Sequence, residues 1–146
     1  MKPFQKILIP TDGSENANAA AAQGLALAKL MDAEVTAMSI VDIGATFTNR
    51  GFRRAAVDNY SYLEEESSTA VEQVYQEGKG MGIEVKKVIG KGVPANEIIE
   101  ASKDYDLIVM GTFGHTGLSH LLMGSVAEKV VRFASCPVLV IRTHKE

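Results

Sequence analysis

The chain has a single cysteine, Cys136. That excludes an internal disulfide and any cysteine cluster for zinc. No apolar run approaches the roughly 18 residues that mark a membrane span. Aromatic residues are 6% of the chain. Tyr60, Tyr62 and Tyr75 are spread along one helical segment, so they form no stacking platform for nucleic-acid bases. Positive charge is not in excess: 15 Lys and Arg stand against 18 Asp and Glu, a net charge of −3. No general field therefore recruits nucleic acid or an anionic membrane. The opening "MKPFQKILIP" has neither the apolar stretch nor the cleavage site of a signal peptide, so the expected location is cytoplasmic. Low-complexity tracts and internal repeats are also missing.

What is present is ordinary globular composition, 46% hydrophobic and 23% charged, in a chain of single-domain length, 1–146. Short aliphatic runs alternate with longer amphipathic ones. "KILIP" (Lys6–Pro10), "EVTAMSIV" (Glu34–Val41), "DLIVM" (Asp106–Met110) and "PVLVI" (Pro137–Ile141) read as strands of a parallel sheet. "IEVKKVIG" (Ile83–Gly90) interleaves polar residues and is expected at an edge with one face partly wet. A helix is predicted from Ser14 to Met31, with Ser14 as N-cap and Ala17, Ala20, Ala21, Leu25, Ala28 and Met31 close to one stripe. Others are predicted from Asp58 to Met81, from Pro94, and after Ser125, where Ser125 and Glu128 have capping-box spacing. Strand and helix alternate throughout, which gives a three-layer α/β/α sandwich.

In a doubly wound sheet, ligands bind where the chain reverses direction, beyond the carboxyl ends of the strands. If strand 1 neighbours strand 4, the crevice there is lined by "PTDGS" (Pro10–Ser14) and "GTFGHTG" (Gly111–Gly117). Gly111, Gly114, Gly117 and Gly124 allow close approach of a ligand to backbone N–H groups. A helix start near Ser125 offers unpaired amides and a positive dipole end, both suited to phosphate. The stretch has no Walker lysine and no G-x-G-x-x-G spacing. On composition alone it reads equally as a loop with tight turns.

The full pattern, Gly111-x2-Gly114-x9-Gly124-Ser125, resembles the ATP-binding signature of the universal stress protein family, its UspA-like, ATP-binding subgroup. "KILIPTDGSENA", "VPANEII" and "DLIVMGTFGHTGLSHLLMGSVAEKVVRFASCPVLVIR" extend the resemblance over nearly the whole chain. It implies a five-stranded parallel sheet of order 3-2-1-4-5, of the adenine nucleotide alpha hydrolase-like type. It also implies an ATP site with Mg2+ accompanying the nucleotide, and leaves ADP or AMP as other occupants. Pro10, Thr11 and Asp12 match the first-strand exit, with Asp12 able to approach the metal. Val41 matches the second-strand exit, whose backbone reads the adenine edge. Met110, Gly111 and Gly114 match the stretch beside the ribose and phosphates. Gly124, Ser125 and Val126 match the phosphate-holding residues. His115, Thr116 and Gly117 lie on the loop between them.

Each of these residues has a plainer reading. Asp12 at a helix start can bond backbone amides. His115 and His120 lack an orienting carboxylate or a paired nucleophile, which leaves a loop donor and a surface residue. Cys136 reads as a small buried side chain. Met31, Met38, Met81 and Met110 read as core filler. Arg50, Arg53 and Arg54 lie in a loop, Asp42–Tyr60, that matches no family motif; they could reach the phosphates, and their plainer reading is as solvated charges. Strand 5 is apolar on both faces (Val138, Leu139, Val140, Ile141), so as an edge it invites pairing with a second copy. The resemblance likewise implies a homodimer there. The function expected is an ATP-binding switch or sensor in stress response, read by a protein partner. The alternatives are a weak ATP hydrolase or phosphoryl- or adenylyl-transfer enzyme, and a nucleotide-free dimeric interaction module. No general base is identifiable for an enzyme. A flavin carrier lacks its aromatic sandwich, and a phosphoacceptor receiver lacks its acidic cluster, since Asp12 stands alone beside Gly13.

Overall fold

The computed structural model describes residues 4–43, 56–112 and 123–142. Five parallel strands form one sheet: β1 (Lys6–Pro10), β2 (Glu34–Asp42), β3 (Val85–Gly92), β4 (Leu107–Gly111) and β5 (Val138–Ile141). Their order is β3-β2-β1-β4-β5, the order the family resemblance implies. Four helices lie among the described residues: α1 (Glu15–Met31), α2 (Ala56–Gly80), α3 (Pro94–Ala101) and α4 (Ser125–Phe133). A 3-10 turn, Ser102–Asp104, follows α3.

Alternation along the strands sorts the core into two layers. Ile7 and Ile9 of β1 and Leu107 and Val109 of β4 pack with Leu25 of α1 and Val71 and Val74 of α2. Leu8, Ile108 and Met110 face the other way, against Ile98 of α3 and Val130 of α4. The central strands are buried on both sides, which is why their sequences are unbroken aliphatic runs. The chain therefore builds outward in two directions from β1, with α1 and α2 on one face and α3 and α4 on the other.

The helix starts follow local chemistry in two cases. Ser14 is extended (φ −71°, ψ 164°), and its hydroxyl accepts the amide of Ala17 at 3.1 Å. Pro94 opens α3, where its missing N–H costs nothing. The third case differs from the sequence expectation. Gly124, not Ser125, is the N-cap of α4, and no side chain caps this helix. The capping box does not form because Gly124 is fixed by a tertiary contact: its amide donates to the carbonyl of Thr112 at 2.8 Å. Ser125 becomes the first helical residue, one position too late to cap.

The edge strand β3 also departs from its expected pattern. Beyond the buried Val85, exposed residues occur on both faces: Lys86 on one, Lys87 and Ile89 on the other. Polar side chains of α2 meet this strand, with Glu72 bonded to Lys87 at 2.8 Å and Glu64 to Lys91 at 3.2 Å. Lys87 also lies 4.4 Å from the centroid of the Tyr75 ring.

Candidate functional site

The register of the sheet opens a crevice at its middle. β1 and β4 pair only at Ile7–Leu107 and Leu8–Ile108. On the other side, β1 stays paired with β2 as far as Pro10–Met38, and the amide of Thr11 then bonds the carbonyl of Met38 at 2.8 Å. The exits of β1 and β4 thus part beyond Leu8 and Ile108. From that point β1 leads to α1 on one face, and β4 leads toward α4 on the other. This is the reversal point at which doubly wound sheets bind ligands.

The β1 side of the crevice is a tight turn held by its own side chains. The hydroxyl of Thr11 accepts the amide of Gly13 at 3.1 Å, and Oδ1 of Asp12 accepts the amide of Ser14 at 3.0 Å. Gly13 has φ +82°, a conformation that other residues adopt only with strain. Thr11 is buried, whereas Asp12 is exposed. The carboxylate of Asp12 is therefore oriented by the turn while remaining reachable from solvent.

The β4 side is shaped by contact with both helix layers. A Cβ on Gly111 would lie 3.0 Å from the carbonyl oxygen of Asn16, so the glycine lets the start of α1 sit against β4. The next residue, Thr112, is 5% exposed, and its hydroxyl is buried without a hydrogen-bond partner. Sequence reading did not single out Thr112; its only signal was a hydroxyl among the glycines. The amides of Ser125, Val126 and Ala127 begin α4 and have no intrahelical acceptor. The bond between Gly124 and Thr112 holds this amide cluster at the β4 exit.

Of the site residues expected from sequence, Pro10 ends β1 and is followed by Thr11 and Asp12, Met110 and Gly111 end β4, and Gly124, Ser125 and Val126 lie at the start of α4, which the Gly124–Thr112 bond ties to the β4 exit. Val41 is the next-to-last residue of β2 and is only 1% exposed as a whole residue. Met110 has its side chain in the α3–α4 layer, as a core residue. Gly114, His115, Thr116, Gly117 and His120 lie outside the described residues, as do Arg50, Arg53 and Arg54.

A second concavity, an open groove of about 420 Å³, lies on the α2 side of Asp12. Asp12 and Gly13 share it with Tyr62, Glu65, Glu66 and Gln73. Asp12 therefore does not stand alone in space, because α2 brings two glutamates from more than fifty positions away in sequence. The Tyr62 hydroxyl donates to Glu66, whose bond and charge hold the phenol above its ordinary pKa. The described lining contains no Lys or Arg, so this groove repels a polyphosphate and the α4 side attracts one. Among the described residues, no group of three His, Cys, Asp or Glu could hold a metal ion. Mg2+ keeps several waters and is commonly held by one or two carboxylates together with a ligand's phosphates, an arrangement that Asp12 would fit.

Cys136 is half-buried beside the α3–α4 layer. Burial, with a smaller effect from Asp106, pushes its thiol above the ordinary range. A protonated thiol is a poor nucleophile.

Comparison with known proteins agrees with the architecture. The model of the universal stress protein family matches residues 3–142. Universal stress protein MJ0531 of Methanocaldococcus jannaschii is 41% identical over 98% of this chain and 85% of its own length. The solved structure of MJ0577, a universal stress protein of the same organism, superposes with a TM-score of 0.82 at 32% identity, over 98% of this chain and 99% of that one. The universal stress protein UspA from Lactobacillus plantarum gives a TM-score of 0.84 at 28% identity, over 95% and 98%. With its sheet order, its glycine-lined crevice and a family match over almost its whole length, the chain belongs to the universal stress protein family.

Proposed function

We propose that this protein binds ATP in the crevice between the exits of β1 and β4 and acts as a nucleotide-dependent switch in stress response. The observation that carries this reading is the start of α4. Its first amides, which have no intrahelical acceptor, are held beside the β4 exit by the 2.8 Å bond between Gly124 and Thr112. Phosphate oxygens accept from the amides of Ser125 and Val126 and from the Ser125 hydroxyl, which serves no capping role. The adenosine lies toward Pro10, Thr11 and the backbone of Val41. Mg2+, when bound with the phosphates, neutralises part of their charge, and Asp12 is the residue placed to face it. A solved universal stress protein of the same fold, 21% identical, is a complex with cAMP, so the fold accommodates an adenine nucleotide.

Switching needs two states that ATP distinguishes. Contacts at the α4 start differ between them, and the surface around the crevice is what a protein partner reads. The homodimer is assigned to β5. This edge leaves Leu139 41% exposed and its neighbours half-buried, while the opposite edge, β3, is guarded by Lys86, Lys87 and Lys91.

The test is calorimetric titration of nucleotide-stripped protein with ATP and Mg2+, with released ADP followed in the same sample. Saturable binding with negligible ADP release supports the switch. Steady ADP release that is lost in Asp12→Asn supports a weak hydrolase. Absence of binding, with no nucleotide recovered on stripping, leaves the dimeric interaction module.

A further inference from the structure

We infer that Asn18 and Gln73 are positioning residues for Asp12: their side chains bridge α2 to the turn that carries its carboxylate and hold that turn for a cation-bound phosphate. The inference rests on the reading of the crevice as a nucleotide site and adds to it two residues outside the expected set. The internal bonds of the turn use the amides of Gly13 and Ser14, and the carbonyl of Gly13 is held from outside. The side-chain amide of Asn18 donates to that carbonyl at 3.5 Å and to Oε1 of Gln73 at 3.3 Å. An asparagine carboxamide carries two N–H groups, so one nitrogen serves both acceptors. Gln73 belongs to α2 and lies 55 positions further along the chain.

Packing brings α2 to the same place. Ala70, one turn before Gln73, is 1% exposed, and a Cβ on Gly13 would lie 3.4 Å from the Cβ of Ala70. Small residues on both sides thus let α2 lie directly against the turn. Asp12, Gly13 and Gln73 also line one groove, so the bridge and the carboxylate open on the same space. Helix propensity does not account for the asparagine. Asn18 stands among Ala17, Ala19, Ala20 and Ala21 of α1, where alanine is the better helix former. Its two bonds are long and add little to stability. What they fix is direction. Oδ1 of Asp12 accepts the amide of Ser14, so a turn that tilts carries the carboxylate with it. Gly13 is the residue with backbone freedom in this turn, and its carbonyl is the atom that the bridge holds.

The experiment titrates nucleotide-stripped wild type, Asn18→Ala, Gln73→Met and the double variant with ATP, once with Mg2+ and once with EDTA, and separately with adenosine. Each single substitution is expected to weaken ATP binding about tenfold when Mg2+ is present, the scale typical of losing a partner that orients a metal-facing carboxylate. Affinities for ATP in EDTA and for adenosine stay at their wild-type values. The double variant loses no more than either single one, because one bridge is broken in all three. Gln73 is exposed, so Gln73→Met carries the test if Asn18→Ala does not fold. Unchanged affinity in the single variants with Mg2+ overturns the positioning role and leaves the nucleotide site standing. Equal losses with Mg2+, in EDTA and for adenosine also overturn it, by showing a general disturbance. Additive losses in the double variant overturn the bridge. A wild type whose ATP affinity ignores Mg2+ overturns the inference while the nucleotide site stands. A wild type that binds neither ligand overturns both readings.

Discussion

The carbonyl oxygen of Asn16 occupies the space that a side chain on Gly111 would need, with a Cβ there only 3.0 Å away. The glycine thus has a packing duty apart from any ligand: it lets the first turn of α1 lie against the end of β4. Gly111→Ala forces the helix start or the strand exit to move. We expect a loss of about 1–3 kcal/mol of stability, read as a lower urea midpoint in nucleotide-free protein. An unchanged midpoint would show that α1 yields freely.

Much of the fold could be read from sequence because the central strands are buried on both faces. Lys6–Pro10 is β1 as read, and β2, β4 and β5 fall within a residue of the expected bounds. Ser14 was legible as a cap because its partner, Ala17, is three residues away. The start of α4 at Ser125 was legible, but its cap was not, since Gly124 is fixed by Thr112, and no local rule foresees a contact across that connection. For the same reason the glutamates of α2 beside Asp12 were invisible, and so was the packing duty of Gly111. On the face of β3 that carries Lys87 and Lys91 the wetness comes with ion pairs to α2, which strand periodicity does not encode.

Ser102 joins the end of α3 to the approach of β5. It is 1% exposed. Its hydroxyl donates to the carbonyl of Ile99 at 2.6 Å and accepts the amide of Ser135 at 2.8 Å. Ser102→Ala leaves that amide without its partner, at a cost of about 1–3 kcal/mol. The expected result is a lower urea midpoint with an unchanged slope. A wild-type midpoint would mean that water replaces the hydroxyl without loss.

The thiol of Cys136 is held above its ordinary pKa, first by burial and then by the charge of Asp106. Asp106 is fixed there by accepting the amides of Gln5 and Lys6, each at 2.9 Å. The fold favours the neutral thiol. Its contribution to stability is therefore complete below the thiol pKa of the unfolded chain, roughly 8.5, and is lost as pH rises from there toward the folded value. Alkylation by iodoacetamide should show a pH midpoint above that of the unfolded protein. A midpoint at or below it would contradict this environment.

Gly124 has φ −66° and ψ 160°, angles open to any residue. The backbone therefore does not require a glycine at the α4 cap, and the space beside its amide is what a side chain would fill. On the proposed nucleotide reading, Gly124→Val is expected to keep the wild-type fold while binding ATP at least about tenfold more weakly, because the branched side chain would crowd the proposed phosphate path. Calorimetry with ATP and Mg2+ reads the difference. Undiminished affinity would remove Gly124 from the cradle.

The two edges of the sheet carry opposite instructions for pairing. At β3, Lys86, Lys87 and Lys91 are exposed, and a second strand would have to desolvate them. At β5, Val138, Val140 and Ile141 are half-buried and Leu139 is exposed, with no charge in the strand. An uncharged, apolar edge is the one open to a second copy, and antiparallel pairing across a two-fold axis would satisfy its free backbone groups. In the proposed β5 dimer, Val140→Lys would place a charge at the seam on both copies. Light scattering is then expected to report a dimeric wild type and a monomeric variant at the same concentration, while circular dichroism shows the fold retained. A variant still wholly dimeric would place the interface elsewhere on the surface, with the exposed Val131 and Phe133 of α4 the next residues to charge.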